Sequence, residues 1–122
     1  MGNPVVHFEI IGKDATTLRK FYTQAFNWHF DPPGAGVNAE NYGLAKTQAG
    51  VGIDGGIGDM GAANGYSGHV TFYVGVPDIK AALNKVATLG GRRVMGPETV
   101  PGGPTIALFT DPEDHVIGLV ET

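Results

Sequence analysis

The hydrophobic pattern of the chain alternates between strand-like and helix-like stretches. Residues 5–11 form an apolar run rich in β-branched side chains, which predicts a strand. Asp14 is a suitable helix N-cap, and apolar residues recur at helical spacing over Ala15–Phe26, which predicts an amphipathic helix. Further strands are predicted at residues 28–30, 42–48 and 51–57. The first half of the chain therefore has the pattern β-α-β-β-β.

The second half repeats this order. A linker rich in Gly, Ala and Asn covers residues 58–68, and residues 69–76 then predict a strand. A helix is predicted from Pro77-Asp78 to the stop at Gly90-Gly91. The last three strands are predicted at residues 93–95, 105–110 and 116–121. Because a period of half the chain is longer than the roughly 20–50 residues of solenoid repeats, it indicates a duplicated supersecondary unit.

The duplication predicts an α+β fold. One β-α-β-β-β unit leaves a sheet face uncovered, so we expect two units to form an open, cup-shaped mixed sheet with helices outside. Unit one covers about residues 4–60 and unit two about residues 67–122, within a single domain of residues 1–122. His7 and His69 lie near the starts of the two copies at an offset of 62, whereas Asp14 and Asp78 differ by 64. We therefore expect two extra link residues in the second copy.

Composition excludes several classes of function. A net charge of −4 makes nucleic acid and anionic membranes unsuitable partners. The chain has no Cys, which excludes thiol nucleophiles, disulfides and thiolate metal sites. No apolar run approaches the length of a membrane span, and no signal peptide is visible, so we expect a cytoplasmic protein.

Four stretches of sequence resemble a known superfamily. HFEI followed by KFYTQAFNW resembles the first unit of small glyoxalase-like proteins, and LGGRRVMGPETVPGG and FTDPEDHVIGLVE resemble the second. The resemblance is to the vicinal oxygen chelate superfamily, which includes glyoxalase I, extradiol dioxygenases, and fosfomycin- and bleomycin-resistance proteins. Asp114 stands where that final turn usually has Gly, a mild departure because Asp tolerates the left-handed conformation. The resemblance implies the fold, but several chemistries share it.

The resemblance also implies a metal site. In the metal-dependent members the ligands come from the first and last strands of each unit, which places His7, His69 and Glu121 at three ligand positions. Such a set suits a divalent ion of Fe, Mn, Co, Ni or Zn. When the turns at residues 49–50 and 113–114 are aligned, the fourth position falls on Ile57, which cannot bind a metal. Asp59 shares the strand parity of Ile57 and is the alternative fourth ligand.

Strand alternation supplies candidate catalytic residues. If His7 faces inward, Glu9 does so too, and His69 carries Tyr73 to the same side of its strand. Glu9 is then a candidate base and Tyr73 a candidate proton donor or substrate contact. The alternatives are an exposed strand face for Glu9, pocket lining for Tyr73, and a structural role for either histidine.

Together these features predict a glyoxalase-like, metal-dependent lyase or isomerase that acts on a small oxygenated metabolite through an enediolate. One alternative is a non-catalytic small-molecule or antibiotic-binding protein, which Ile57 favours; another is an extradiol-type dioxygenase. A homodimer is also predicted, because an open cup leaves sheet edges and apolar surface that a second copy can cover.

Overall fold

A computed structural model of the protein describes residues 2–30, 42–48, 50–59 and 66–122. The chain divides into two compact units, one of residues 7–70 and one of residues 1–6 with 71–122. The boundaries between these units fall inside the two strands predicted at residues 5–11 and 69–76, and not in the predicted linker. The elements are, in chain order, β1 (Val5–Gly12), α1 (Ala15–Phe26), β2 (His29–Phe30), β3 (Tyr42–Lys46), β4 (Gly55–Asp59), β5 (His69–Val76), α2 (Ile79–Thr88), β6 (Arg92–Thr99), β7 (Thr105–Thr110) and β8 (Val116–Glu121).

The first unit, residues 7–70, contains a mixed arrangement of strands in the order β2-β3-β4-β1. β1 and β4 are parallel, whereas β3 is antiparallel to both β2 and β4. The helix α1 has the predicted bounds: the Asp14 side chain accepts from the backbone N–H of Thr17, and Asn27 ends the helix in the left-handed conformation. The unit therefore has the order β-α-β-β-β.

The second unit has the strand order β5-β8-β7-β6. β5 and β8 are parallel, and β7 is antiparallel to β8 and β6. Its core is apolar and consists of Val76, Ile79, Leu83, Ala107 and Leu119. Burying a side chain of the Val, Leu or Ile type contributes about 1.5–3 kcal/mol. The α+β class and the two β-α-β-β-β units predicted from the sequence are confirmed.

The two copies align differently from the sequence-based prediction. β1 and β5 each have eight residues, and each is followed by two residues before its helix begins. The offset from Asp14 to Asp78, 64 residues, therefore holds along the strand as well, and the prediction of two extra link residues is wrong. His7, the third residue of β1, corresponds to Thr71, whereas His69 is the first residue of β5. Glu9 corresponds to Tyr73.

The last strands of the two copies also differ from the prediction. Asp59, at the end of β4, pairs with the end of β1, and Glu121, at the end of β8, pairs with the end of β5. The residue that corresponds to Glu121 is therefore Asp59, and the prediction that placed Ile57 there is wrong.

The reason is the connection between β3 and β4. It runs from Thr47 to Asp54, and the Asp54 Oδ1 atom accepts from the Thr47 backbone N–H at 3.0 Å. The connection between β7 and β8, residues 111–115, is shorter. A two-residue turn at residues 49–50 was predicted in the first copy. Residue 49 lies outside the described residues, and β4 begins at Gly55 instead of residue 51.

Other boundaries moved as well. β6 extends over Arg92–Thr99, well beyond the predicted residues 93–95, and the predicted linker begins inside β4, because Gly58 and Asp59 belong to that strand. The middle of the linker, residues 60–65, lies outside the described residues. Neither helix in the described chain is both long and apolar enough to span a membrane.

Candidate active site

Glu9 lies in the middle of β1 with only 7% of its surface exposed. A buried carboxylate is costly unless charged or polar groups hydrogen bond to it. Here the Oε1 atom accepts from the Tyr42 hydroxyl at 2.9 Å, and the Oε2 atom lies 2.7 Å from the Nε2 atom of His69. The exposed strand face considered for Glu9 is therefore wrong, because Glu9 is buried and hydrogen bonded to polar side chains.

Tyr42 reaches Glu9 because β4 carries a glycine beneath it. Gly56 is the register partner of Glu9 on β4, and a Cβ atom added at Gly56 would lie 1.9 Å from the Tyr42 hydroxyl oxygen and 2.0 Å from the ring carbon that carries it. Only a residue without a side chain leaves this space to the phenol. The backbone of β4 thus sets the position of the Tyr42 hydroxyl.

His7 enters the cluster through the same hydroxyl. Its Nε2 atom lies 2.8 Å from the Tyr42 oxygen, and the two rings are stacked with centroids 6.5 Å apart. Because Tyr42 donates its proton to Glu9, we assign Nε2–H of His7 as the donor to Tyr42. Burial lowers the pKa of His7, against the opposite effects of the Glu9 and Asp54 carboxylates. Burial thereby favours the neutral form of the His7 imidazole.

His69 connects Glu9 to a second phenol. Its side chain is 10% exposed, and its Nδ1 atom is hydrogen bonded to the hydroxyl of Tyr66. Because a carboxylate oxygen accepts, we assign Nε2 of His69 as the donor to Glu9, which leaves Nδ1 to accept from the Tyr66 hydroxyl. Burial raises the pKa of Tyr66, and the negative charge of Glu9 adds to the effect. We call these five residues the Glu9 cluster: His7, Glu9, Tyr42, Tyr66 and His69.

The other two predicted site residues belong to the second unit. Tyr73 is buried, with 5% exposed, and its ring lies over Gly118 of β8. The Oε2 atom of Glu121 accepts from the backbone N–H of Ile79 at the start of α2, at 3.1 Å. In the first unit, the Oδ2 atom of Asp59 accepts in the same way from the N–H of Ala15 at 2.9 Å. A carboxylate at a helix N-terminus is favourable, because the helix dipole is positive there.

These contacts do not form a set of metal ligands. Among the parts of the chain that the structure describes, no three His, Cys, Asp or Glu side chains are grouped so that they could hold one metal ion. The Nε2 atoms of His7 and His69 and the Oε2 atom of Glu121 are instead hydrogen bonded to protein groups. The three-ligand site of His7, His69 and Glu121 therefore stays a prediction.

Two members of the cluster, Tyr42 and Tyr66, were not identified from the sequence. Tyr42 was assigned only to a strand, and Tyr66 only to the linker. The available signals were weak: Tyr66 precedes His69 by three residues, and Gly56 lies opposite Glu9 only once the parallel pairing of β1 and β4 is known. The pairing of distant strands carried the information.

Comparison with known families adds a classification. The model of the Glyoxalase/Bleomycin resistance protein/Dioxygenase superfamily matches residues 5–119 of this chain. The match covers both β-α-β-β-β units, and it includes β1, which carries Glu9, and all but the last residues of β8.

Two curated mycobacterial proteins are similar in sequence. Both are named CFP32, a candidate glyoxylase, one from Mycobacterium bovis and one from Mycobacterium tuberculosis. Each is 31% identical over 112 residues, which is 87% of this chain and 41% of the relative. The chain therefore spans about two fifths of the length of these relatives.

Solved structures share the fold. Methylmalonyl-CoA epimerase from Mycobacterium tuberculosis superimposes with a TM-score of 0.65 at 15% identity, covering 96% of this chain and 86% of that chain. A variant of the Streptomyces coelicolor methylmalonyl-CoA epimerase, in complex with 2-nitronate-propionyl-CoA, gives 0.61 at 19% identity, covering 98% and 94%. A superfamily member from Vibrio splendidus gives 0.63 at 12% identity, covering 99% and 100%.

Proposed function

We propose a function for this chain from two premises: it belongs to the Glyoxalase/Bleomycin resistance protein/Dioxygenase superfamily, and its first unit buries a carboxylate among two imidazoles and two phenols. The proposed function is that of an isomerase or lyase that moves a proton at a carbon next to a carbonyl group of a small oxygenated metabolite. The observation that carries the proposal is the 2.7 Å contact between Glu9 and His69, both nearly excluded from water.

The pair of Glu9 and His69 is the proton-accepting group in this proposal. A neutral imidazole accepts a proton near pH 7, and a carboxylate at hydrogen-bonding distance stabilises the imidazolium that forms. Because both side chains are buried, this attraction is screened less than it would be in water. Tyr42 holds the second oxygen of Glu9 and so fixes the orientation of the carboxylate toward His69.

His7 has a supporting role. Its lowered pKa favours the neutral ring, which leaves no competing cation beside Tyr42. A proton on His7 would polarise the Tyr42 hydroxyl further toward Glu9, and it would reduce the negative charge of Glu9 that is available to His69. Tyr73 stays a candidate substrate contact of the second unit.

The substrate class follows from carbonyl chemistry and from the relatives. Removal of a proton beside a carbonyl leaves an enolate or, from a hydroxy ketone, an enediolate. The epimerases that share the fold are named for a thioester substrate, methylmalonyl-CoA, and an epimerase is an isomerase. Their low identity supports the fold alone, so hydroxy ketones, 2-oxo acids and acyl thioesters are all included in the test.

The experiment is proton exchange in D2O followed by NMR. Hydroxyacetone, pyruvate and propionyl-CoA are each incubated with the protein, and loss of the C–H signal beside the carbonyl is timed. We expect exchange of at least one probe, and Glu9→Gln should slow it by about 100-fold or more, the usual contribution of acid–base catalysis. The matched control is Glu113→Gln, an exposed carboxylate in the turn between β7 and β8, whose loss should leave the rate unchanged. Absence of exchange for every probe, or an unaffected Glu9→Gln, contradicts the proposal.

A second candidate function is a non-catalytic small-molecule-binding protein. The observation that favours it is that both oxygens of Glu9 are already hydrogen bonded, as in a structural polar network. A binding protein would release or absorb heat in calorimetry with a probe whose C–H signal does not exchange. In that case Glu9→Gln would lower the stability of the protein, and no exchange rate would change. The dioxygenase alternative requires the metal site of His7, His69 and Glu121, and metal titration is the experiment that tests it.

A further inference from the structure

Tyr66 occupies the outer end of the line of hydrogen bonds that leads to Glu9. Tyr66 is 37% exposed, whereas Glu9 is 7% exposed and the His69 side chain is 10% exposed. Its hydroxyl contacts Nδ1 of His69, the ring nitrogen opposite the one that faces Glu9. The aromatic rings of Tyr66 and His69 meet edge to face with centroids 5.6 Å apart. The order from solvent to interior is thus phenol, imidazole, carboxylate.

This order resembles the geometry by which a hydroxyl is activated through a histidine whose second nitrogen faces a carboxylate. In such an arrangement the hydroxyl meets the substrate, the imidazole exchanges the proton, and the carboxylate balances the charge. Glu9 itself is too deeply buried to meet a substrate directly. Tyr66 is the cluster member that combines solvent exposure with a direct contact to His69.

We propose that the Tyr66 hydroxyl is the group that meets the substrate, and that it passes a proton between the substrate carbon and His69. This inference rests on the proposed function. In the forward step the Tyr66 oxygen forms a bond to the substrate proton as the C–H bond breaks, and its own proton moves to Nδ1 of His69. The electron pair of the C–H bond stays on the substrate as the enolate. The product is an imidazolium paired with the Glu9 carboxylate, and the reverse transfer returns the proton.

The two transfers in this step occur together, so that Tyr66 remains a phenol before and after it. The raised pKa of Tyr66 is consistent with this, because it disfavours a free tyrosinate. Phe at this position would keep the ring and its contact with His69 but would remove the only atom that carries the proton. Tyr22 provides a matched control, because it is also a partly buried tyrosine that packs against other aromatic rings, at 5.2 Å from Trp28.

The first test is the exchange assay with Tyr66→Phe and Tyr22→Phe. Tyr66→Phe should slow exchange of the active probe by about 100-fold or more. The dissociation constant of that probe, measured by calorimetry, should change less than about threefold, while Tyr22→Phe keeps the wild-type rate. Because residues that act as a unit are not additive, the double variant Tyr66→Phe/Glu9→Gln should be about as slow as either single variant. Full exchange by Tyr66→Phe while Glu9→Gln is slow overturns the role of Tyr66 and leaves the proposed function standing. No exchange by the wild type overturns both.

The second test uses only the wild-type protein and does not depend on folding of a variant or on a substrate. Two-bond proton–nitrogen correlation spectra of the histidine rings report which nitrogen is protonated. The relay requires the Nε2–H tautomer of His69, with Nδ1 as the acceptor of the Tyr66 proton. If the spectra show the Nδ1–H tautomer, then His69 donates to Tyr66, the proton cannot move inward, and the inference is overturned.

Discussion

The two units share one chain path and differ in what they bury at corresponding positions. Glu9 of the first unit is buried and hydrogen bonded, whereas its counterpart in the second unit is Tyr73, an equally buried aromatic ring. The third strand shows the same contrast, because Tyr42 pairs with Gly58 as Ile106 pairs with Val120. The duplicated scaffold thus carries a polar cluster in one copy and an apolar core in the other.

One device is common to both units. A glycine on the last strand makes room for an aromatic ring: Gly56 for Tyr42, and Gly118 for Tyr73. In the first unit that ring belongs to the third strand and brings a hydroxyl to the carboxylate of the first strand. In the second unit the ring belongs to the first strand itself. The same gap in the sheet surface therefore serves polar chemistry in one copy and packing in the other.

The largest contrast is expected from alanine at these two glycines. Gly56→Ala forces the Tyr42 hydroxyl away from Glu9, so that exchange should fall by about 100-fold or more. Gly118→Ala pushes against the Tyr73 ring, with its nearest carbon at 2.5 Å, and should leave the Glu9 cluster in place. Both should lower the free energy of unfolding by about 1–3 kcal/mol, the usual cost of overpacking. Urea denaturation and the exchange assay measure the two effects; equal loss of activity in both variants would contradict the division of roles.

Metal titration tests the predicted three-ligand metal site. If the predicted site of His7, His69 and Glu121 exists, Zn(II), Mn(II), Fe(II), Co(II) or Ni(II) should bind at one site. The metal affinity should then fall by about 10–100-fold or more in His69→Ala and in Glu121→Gln. Loss of a residue that only supports a ligand already lowers metal affinity by about 10–100-fold, and loss of the ligand itself should lower it further. Glu113→Gln is the control, because its exposed carboxylate lies in the turn between β7 and β8 and is not a predicted ligand. Calorimetry that detects no metal on the wild type removes this site.

The strand-end carboxylates should behave alike in both units, in contrast to the residues above. Asp59→Asn and Glu121→Gln each remove a charge at a helix N-terminus, and each should cost about 0.3–1 kcal/mol of stability at low ionic strength. Thermal unfolding at two salt concentrations is the measurement, because salt should reduce both losses. A large loss in only one of the two variants would show that the carboxylates have different roles.

The smallest expected effect is the pH dependence contributed by His7. Because its pKa in the folded protein is lowered, the unfolded chain binds a proton first as pH falls. The free energy of unfolding should therefore decrease as pH falls from about 6.5 through the folded-state pKa, with no contribution above that window. His7→Gln should remove this part of the slope, while the exposed His29→Gln should leave it. An unchanged slope in His7→Gln would mean that His7 is not desolvated in the folded protein. The corresponding Thr71 does not titrate.

The homodimer stays a prediction, and light scattering at micromolar concentration is its measurement. A monomer at that concentration would contradict it.

Much of the fold could be predicted because local patterns specify it. The β-branched run of β1, the N-cap Asp14 and the helical spacing up to Phe26 act over neighbouring residues, and α1 has the predicted bounds. The prediction was wrong where it aligned the two copies by identical residue types alone. His7 and His69 look equivalent in sequence, but strand length and helix caps make Thr71 the counterpart of His7.

Of the site, the order of residues along β1 is enough to place Glu9 and His7 on the same side of one strand, because side chains alternate with a period of two. Their partners come from the way distant strands pair. The parallel pairing of β1 with β4 places Gly56 opposite Glu9, which admits Tyr42 from a third strand, and His69 lies 60 residues away from the carboxylate that it contacts. Such contacts arise only when the chain has folded back on itself, and a local pattern of residues does not encode them.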